Sequence, residues 1–360
     1  MNERLETLGW SEHFAALFAP HAAAGLVPAR VAVEHRASYE LLTELGDAQA
    51  ALAGRFRHIA ASRAELPAVG DWVAFAPGAK GGLGTVEAIL PRTSAFTRKA
   101  AGRDHGDQIV AVNVDVVFIV TSLNAELSPR RLERYLTLAW ESGASPVIVL
   151  SKTDRATDPD AMVREAEQAT AGVPVLLTSA KTGQGIEALR AMLQPHRTGA
   201  LLGSSGVGKS TLINALVGFD RQSTGVVREG DDKGRHTTTR RELVLLPGGG
   251  ILVDTPGMRE LQLGDAGRGL LGAFSDVDTL AASCGFGDCT HGPEPGCAVK
   301  AAIAAGTLSA ERFESYLKLV RELSHRTTWA DKRAASAAKQ KEKAVHRAVN
   351  KHIRNKRGPS

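Results

Sequence analysis

Gly203-Ser204-Ser205-Gly206-Val207-Gly208-Lys209-Ser210 carries the most specific chemistry in this chain of 360 residues. It matches G-x-x-x-x-G-K-[ST], with an apolar strand, Ala200–Leu202, before it and a helical stretch, Thr211–Val217, after it. Glycines in such a loop let successive backbone N–H groups turn inward around phosphate oxygens, and the following helix adds its positive end. Lys209 then reaches the β- and γ-phosphates, the Ser210 hydroxyl ligates Mg²⁺, and Thr211 completes the nucleotide-binding run. Further along, Asp254-Thr255-Pro256-Gly257 closes the apolar run Ile251-Leu252-Val253. A carboxylate at the end of a buried strand suits a Mg²⁺-bound water, and the Gly257 N–H can approach a γ-phosphate.

Base recognition has its own candidates. Ser151-Lys152-Thr153-Asp154 ends the apolar run Pro146–Leu150, and Thr178-Ser179-Ala180-Lys181 ends the next one. Guanine offers N1–H and N2–H₂ side by side, a pair that one carboxylate accepts and that adenine lacks. Asp154 therefore selects guanine and Lys152 packs over the base. Ser179, Ala180 and Lys181 match the S-A-K element that buttresses guanine O6. The first set resembles the N-K-x-D element of GTPases with Ser151 in the Asn position. Serine has fewer hydrogen-bonding groups and a shorter reach, which weakens the expectation of tight nucleotide binding. Alone, either tetrapeptide is an ordinary loop; both closing parallel strands, where ligands bind in such sheets, is what gives them weight. Their order is permuted, since in ordinary GTPases the phosphate loop comes first.

Between Ser210 and Asp254 lies Gly234-Arg235-His236-Thr237-Thr238-Thr239-Arg240. One of the three threonines, with Thr238 taken as the candidate, completes the Mg²⁺ shell when GTP is bound. GTPases of the Ras type orient the attacking water with Gln just after D-x-x-G. Here that position is Met258, which can neither donate nor accept as needed. Slow unaided hydrolysis is expected, with a partner ordering the site and His236 as candidate water-positioning group. The competing reading of His236 is a surface histidine in a loop.

All three cysteines of the chain fall within Cys284-x₄-Cys289-x-His291-x₅-Cys297. Three thiolates and one imidazole suit a closed, tetrahedral, structural Zn²⁺ site with no open catalytic position. Reduced buried thiols, or one transient disulfide with an odd cysteine, are the alternatives.

Alternating buried strands and helices must position these groups. From about residue 109 the pattern runs strand Val114–Thr121, helix Ser128–Trp140, strand Pro146–Leu150, helix Pro159–Ala171, strand Val173–Thr178, helix Ile186–Leu193 and strand Ala200–Leu202. That is a mostly parallel sheet with helices on both faces. Residues 1–108 read as five short strands, Val27–Val33, Tyr39–Leu45, Ala50–Phe56, Asp71–Phe75 and Gly84–Ile89, with Gly46-Asp47 and Pro77-Gly78 as turns. They suggest a small β-barrel of oligonucleotide-binding (OB) type, or another small barrel without a nucleic-acid role. After about 258 the chain reads as helical, with a helix over Ala310–Leu323. The expected division is therefore 1–108 OB-type barrel, 109–262 permuted α/β nucleotide-binding domain, 263–330 helical zinc-binding domain and 331–360 tail.

Composition fits an ordinary globular protein, 43% hydrophobic and 23% charged. No apolar run approaches the roughly 18–20 residues of a spanning helix. The N-terminus MNERLETLGW has no apolar core of a secretory signal, so a cytoplasmic protein away from membranes is expected. From Asp331 onward ten Lys or Arg face two acids. The whole chain is only +5, so the body is slightly acidic and the basic character belongs to the tail. Such a tail either attracts RNA phosphates or is merely solvated.

Together S-K-T-D and S-A-K ahead of GSSGVGKS, then GRHTTT, DTPG and CGFGDCTHGPEPGCAV, resemble the RsgA (YjeQ) family of small ribosomal subunit biogenesis GTPases over nearly the whole chain. The resemblance implies an OB domain, a circularly permuted GTPase domain and a zinc-binding helical domain. It also implies a monomer that exchanges GTP and GDP, and that binds the small ribosomal subunit and its rRNA in late maturation with RNA stimulating hydrolysis. An RNA-binding assembly module that uses GTP only as a structural ligand is the alternative, and a GTPase serving some other RNA is a weaker third.

Overall fold

The computed structural model of the chain describes residues 3–60, 62–99, 107–123, 127–170, 172–218, 241–254, 267–292 and 294–321. Two helices open it, α1 (Glu3–Thr7) and α2 (Glu12–Ala22). The strand-only reading of residues 1–108 did not anticipate them. Leu5, Leu8, Trp10, Phe14 and Phe18 are buried against Trp72 and Leu90, so this amphipathic face is a cover for the barrel.

The barrel follows: β1 (Val27–Glu34), β2 (Tyr39–Thr43), β3 (Gly46–Leu52), helix α3 (Gly54–Ile59), β4 (Trp72–Ala76) and β5 (Gly84–Ile89). Strand β1 pairs with both β2 and β4, β4 with β5, and β3 runs parallel to β5. The ring is closed as 1-2-3-5-4-1, the OB arrangement. Its interior is filled by alternating residues such as Val31, Leu41, Val73, Phe75 and Val86. Two local expectations need correction. Leu42-Thr43 leads into a turn at Glu44-Leu45, where the Thr43 hydroxyl donates to the Gly46 carbonyl at 2.8 Å, so Gly46-Asp47 belongs to β3 rather than to the turn. The run Ala50–Phe56 is likewise split, because Gly54 starts helix α3.

A hairpin unforeseen in the sequence, β6 (Ala95–Lys99) with β7 (Asp107–Val112), leads into the central sheet and spans residue 108. The sheet elements are β8 (Val116–Ser122), α4 (Pro129–Ser142), β9 (Ser145–Ser151), α5 (Pro159–Thr170), β10 (Val175–Leu177), α6 (Ile186–Ala191), β11 (Thr198–Leu202), α7 (Lys209–Val217), β12 (Glu242–Leu245) and β13 (Ile251–Asp254). Their order is β10-β9-β8-β11-β13-β12, all parallel except β12. Within β8 the side chains alternate between two cores: Val117 and Ile119 face α4 and α5, whereas Val116, Phe118 and Val120 face α6 and α7. A continuous β-branched run is what a strand covered on both faces requires. Helix α4 begins with Pro129 at its first turn and ends at Gly143, which takes the left-handed conformation with φ +89°.

Beyond β13 come α8 (Gly267–Ala273), α9 (Ser275–Ala281), α10 (Ala298–Ala304) and α11 over 310–321. Helix α8 approaches α4 closely: a Cβ at Gly269 would lie 2.3 Å from the Thr137 carbonyl oxygen, so only glycine fits. Arg312 of α11 locks the helical region onto the sheet domain. Its guanidinium is ion-paired with Asp276 at 2.5 and 2.7 Å and with Glu133 of α4 at 3.3 Å, and it lies over the Phe274 ring.

Arg30 performs the equivalent task between barrel and sheet. Fully buried, it donates to the Gly70 carbonyl at 3.3 Å and to the Thr198 hydroxyl at 2.8 Å. Burial pulls its pKa down to about 10, with Asp115 and Asp71 opposing the shift.

Candidate nucleotide site and metal cluster

Because β8, β9, β10, β11 and β13 are parallel, their C-terminal ends share one edge of the sheet. Ser122 pairs with Ser151, Leu202 with Ile119 and Val253 with Ala200. The phosphate loop, the base-recognition loops and Asp254 therefore converge there, where ligands bind in such folds.

The phosphate loop is shaped by its glycines. At Gly203 φ is +152° and a Cβ would lie 2.3 Å from the Val120 carbonyl oxygen, so the loop leaves β11 pressed against β8. No side chain caps the N-terminus of α7, whose cap position is Gly208. The Lys209 ammonium donates to the Gly203 and Ser204 carbonyls at 2.7 and 2.6 Å. Ser204 meets the Tyr135 hydroxyl of α4 at 3.4 Å. Val207 is buried, Ser205 and Gly206 are exposed, and Ser210 lies half-buried beside exposed Thr211. Asp254 is buried at the end of β13.

The base-recognition residues are tied to this loop and to one another. Ser151 is 2% exposed, and its hydroxyl lies 2.6 Å from the Val207 carbonyl and 3.2 Å from that of Thr121. It faces the phosphate loop and fastens β9 to it, a contact within reach of so short a side chain. Lys152, in the left-handed region at φ +62°, donates to the Gly206 carbonyl at 2.6 Å. Such a conformation is uncommon for a residue with a Cβ and is held by its surroundings. The Ser179 hydroxyl donates to Asp154 at 2.7 Å and holds that exposed carboxyl below its ordinary pKa. Lys181 adds to the effect from the same loop.

Gln184, which sequence reasoning passed over, completes the frame. Its carboxamide oxygen accepts from Thr153 at 2.7 Å and its carbonyl accepts from the Ser179 N–H at 3.0 Å. A lone Gln in a glycine-punctuated loop carries no signal of this contact. Of the remaining sequence candidates, His236, Thr238, Gly257 and the Met258 position lie outside the described residues, as does the basic tail.

Cys284, Cys289, His291 and Cys297 come together with their ligand atoms all within 4.8 Å. The His291 Nδ1 is 3.6 Å from the sulfurs of Cys284 and Cys289 and 3.5 Å from that of Cys297. Cys284 and Cys297 sulfurs are 4.0 Å apart, far beyond a bond, so the disulfide alternative is not what this fold holds. Glu294 builds the intervening turn by accepting from the Thr290 hydroxyl and N–H and, at 2.7 Å, from the Gly292 N–H. Those bonds, the Thr290 hydroxyl first, bring its pKa down to about 2. The cluster could hold a metal ion.

The sequence profile of RsgA GTPases matches residues 89–264, and that of 50S ribosome-binding GTPases matches residues 198–351. The second match starts at β11, immediately before the phosphate loop, as a permuted order requires. A protein of Opitutus terrae named small ribosomal subunit biogenesis GTPase RsgA is 48% identical, over 95% of this chain and 96% of its own length. The chain belongs to the RsgA GTPase family. Solved RsgA-type structures agree in fold. YjeQ from Thermotoga maritima superposes with a TM-score of 0.63 at 31% identity, covering 83% of this chain and 98% of its own. YloQ, described as a circularly permuted GTPase, gives 0.61 at 25% identity, covering 84% and 96%. The RsgA assignment thus accounts for the barrel, the permuted motif order and the Cys/His cluster in one chain. Among the described residues no helix is long and apolar enough to cross a membrane.

Proposed function

We propose that this RsgA-family chain is a cytoplasmic, monomeric GTP phosphohydrolase. It binds the small ribosomal subunit and its rRNA during late maturation and leaves as GTP becomes GDP and phosphate. The observation that carries the reading is the convergence of Asp154, held by Ser179, with the phosphate loop, held by Ser151, at one sheet edge. The relatives named for small-subunit biogenesis match almost end to end, whereas the 50S-named profile covers only residues 198–351. That difference favours the small subunit. In the division of labour we propose, residues 1–108 contact RNA, 109–262 bind and cleave GTP, 263–330 dock and 331–360 supply basic charge.

Asp154 accepts N1–H and N2–H₂ of guanine, the Ala180 region faces O6, and Lys152 lies over the base. Phosphates bind the N–H groups of residues 203–211, and the Lys209 ammonium exchanges its loop carbonyls for β- and γ-phosphate oxygens. Ser210 and Asp254 would hold Mg²⁺, joined by Thr238 when GTP is present, and the bound ion would supply neutralisation of phosphate charge. His236 orients the attacking water and the Gly257 N–H meets the γ-phosphate. The metal cluster fits zinc. Bond lengths of about 2.3 Å to sulfur and 2.0–2.1 Å to nitrogen in a tetrahedron put sulfur and nitrogen about 3.6 Å apart, close to the 3.5–3.6 Å found.

Ser151→Ala removes the tie between β9 and the phosphate loop. GTP and GDP affinity should both fall, by about 1–2 kcal/mol or roughly 5–30-fold. Equilibrium titration with a fluorescent guanine nucleotide checks this, and an unchanged dissociation constant removes Ser151 from the binding machinery.

Single-turnover hydrolysis with and without purified small subunits tests the function itself. Strong stimulation is expected, and His236→Ala should return the stimulated rate towards the unaided one by roughly 10²-fold, the scale of a positioned catalytic group. Absence of stimulation in the wild-type chain supports instead an RNA-binding module with GTP as structural ligand. Unaltered turnover in the His236 variant sinks that residue's role alone.

A further inference from the structure

Strand β12 leads the chain out of the 219–240 stretch and towards Asp254, and its start is held by the barrel. Glu242 is in register with Val33 of β1 on one side and with Asp254 of β13 on the other. Among the described residues, that single bridged pair is the backbone register joining β1 to β12. Side chains reinforce it. Arg241 donates to the Ile109 carbonyl of β7 at 2.9 Å and lies 3.8 Å from a carboxylate oxygen of Glu34, the last residue of β1. The other Glu34 oxygen is 3.5 Å from Arg63, just before β4 on the barrel. Arg241 and Glu34 side chains are only 15% and 22% exposed. Burial pulls the Arg241 pKa down while Glu34 opposes it, as for a cation taken from water towards one partner.

We propose that the Glu34–Arg241 pair positions the hydrolytic side of the GTP site by anchoring β12, and with it the approach to Asp254, on the barrel. This rests on the reading of the chain as a subunit-stimulated GTPase. A barrel immobilised on RNA then immobilises the strand that joins the 234–240 segment to Asp254. The effect falls on turnover and not on affinity for a geometric reason. The guanine and phosphate loops follow β9, β10 and β11, whereas β12, antiparallel to β13, lies at the far end of that order, beyond β13. Neither Arg241 nor Glu34 belongs to those loops.

The test uses the full chain with small subunits. Arg241→Gln and Glu34→Gln should each lower subunit-stimulated kcat by roughly 3–30-fold, the range of coupling carried by single side chains. The KM for GTP and the dissociation constant for GDP should stay within about twofold, which also shows that the variants are folded. The loss in the double variant should be less than the sum of the single losses, because both singles remove the shared contact. Arg241→Lys, which keeps the charge but not the guanidinium fork, should recover part of the loss. Charge exchange is unsuitable as a rescue, since an arginine at position 34 would face Arg63. Full stimulation in both single variants, an equal fall in nucleotide affinity, or additive losses in the double variant each overturn the proposal. A wild-type chain left unstimulated overturns the underlying function along with it; a stimulated wild type beside equally stimulated variants overturns the pair's role alone.

Discussion

Chelation of the metal, or Cys297→Ser, is expected to unfold the C-terminal helical region while leaving a folded nucleotide domain. A closed thiolate-rich zinc site contributes on the order of 10 kcal/mol to the folding of the segment around it, more than any single contact in a region this small. Arg312 ties the outer helices to the sheet domain, but around the metal itself little else holds the chain. The described residues of 282–297 contain no strand and no α-helix; their order comes from the four converging ligands and the Glu294 turn. Cys297 is buried and stands at the cap position of α10, so a metal bound there would fix the start of that helix directly. The His291 ring meets Phe313 edge-on at 5.8 Å, and Phe313 stacks on Tyr316, which carries the restraint into α11. Elemental analysis should find one zinc per chain, lost in the variant, and helical circular dichroism should fall with it. Guanine-nucleotide binding should persist, because its loops stand on cores built from β8, β9 and β11. Metal loss with an unchanged spectrum and melting temperature contradicts the structural role.

The second large effect concerns base identity. Asp154→Asn should weaken GTP binding by at least about a hundredfold and raise the affinity for xanthosine triphosphate. A carboxylate accepts both N1–H and N2–H₂ of guanine, whereas a carboxamide has one acceptor and turns its NH₂ against the guanine amine. Xanthine carries a carbonyl at that position, so the carboxamide pairs with it. The Ser179 hydroxyl, 2.7 Å from Asp154, orients the carboxylate and keeps it ionised. Competition of GTP, xanthosine triphosphate and ATP against a fluorescent guanine nucleotide measures the switch. An unchanged order of preference would place the base elsewhere.

Much of the site was legible because its chemistry is local. The loop 203–210, the D-x-x-G start at Asp254 and the three cysteines with His291 are short motifs of the residue types that phosphate, Mg²⁺ and zinc would demand. The strand at β8, a continuous β-branched run, and the Ser128-Pro129 start of α4 were readable for the same reason, since each depends on neighbours within a few residues. Glu44-Leu45 escaped that reading: Gly46-Asp47 has the stronger turn composition, but barrel closure placed Gly46 opposite Thr43 in the ladder. Helices α1 and α2 were passed over because their apolar face acquires a purpose only when Trp72 and Leu90 are beneath it.

The sequence alone pointed to what could be bound: a guanine nucleotide, with a candidate carboxylate and a phosphate loop in permuted order, and a metal cation, with clustered thiols. Those are properties of functional groups and of the spacings within and between short motifs. Only the tertiary structure decided how the parts constrain one another. Ser151 grips Val207 across 56 residues, Arg30 reaches Thr198 across 168, and Arg241 reaches Ile109 across 132. Contacts of that range arise when strands are brought into one sheet, and nothing in either local segment encodes its distant partner.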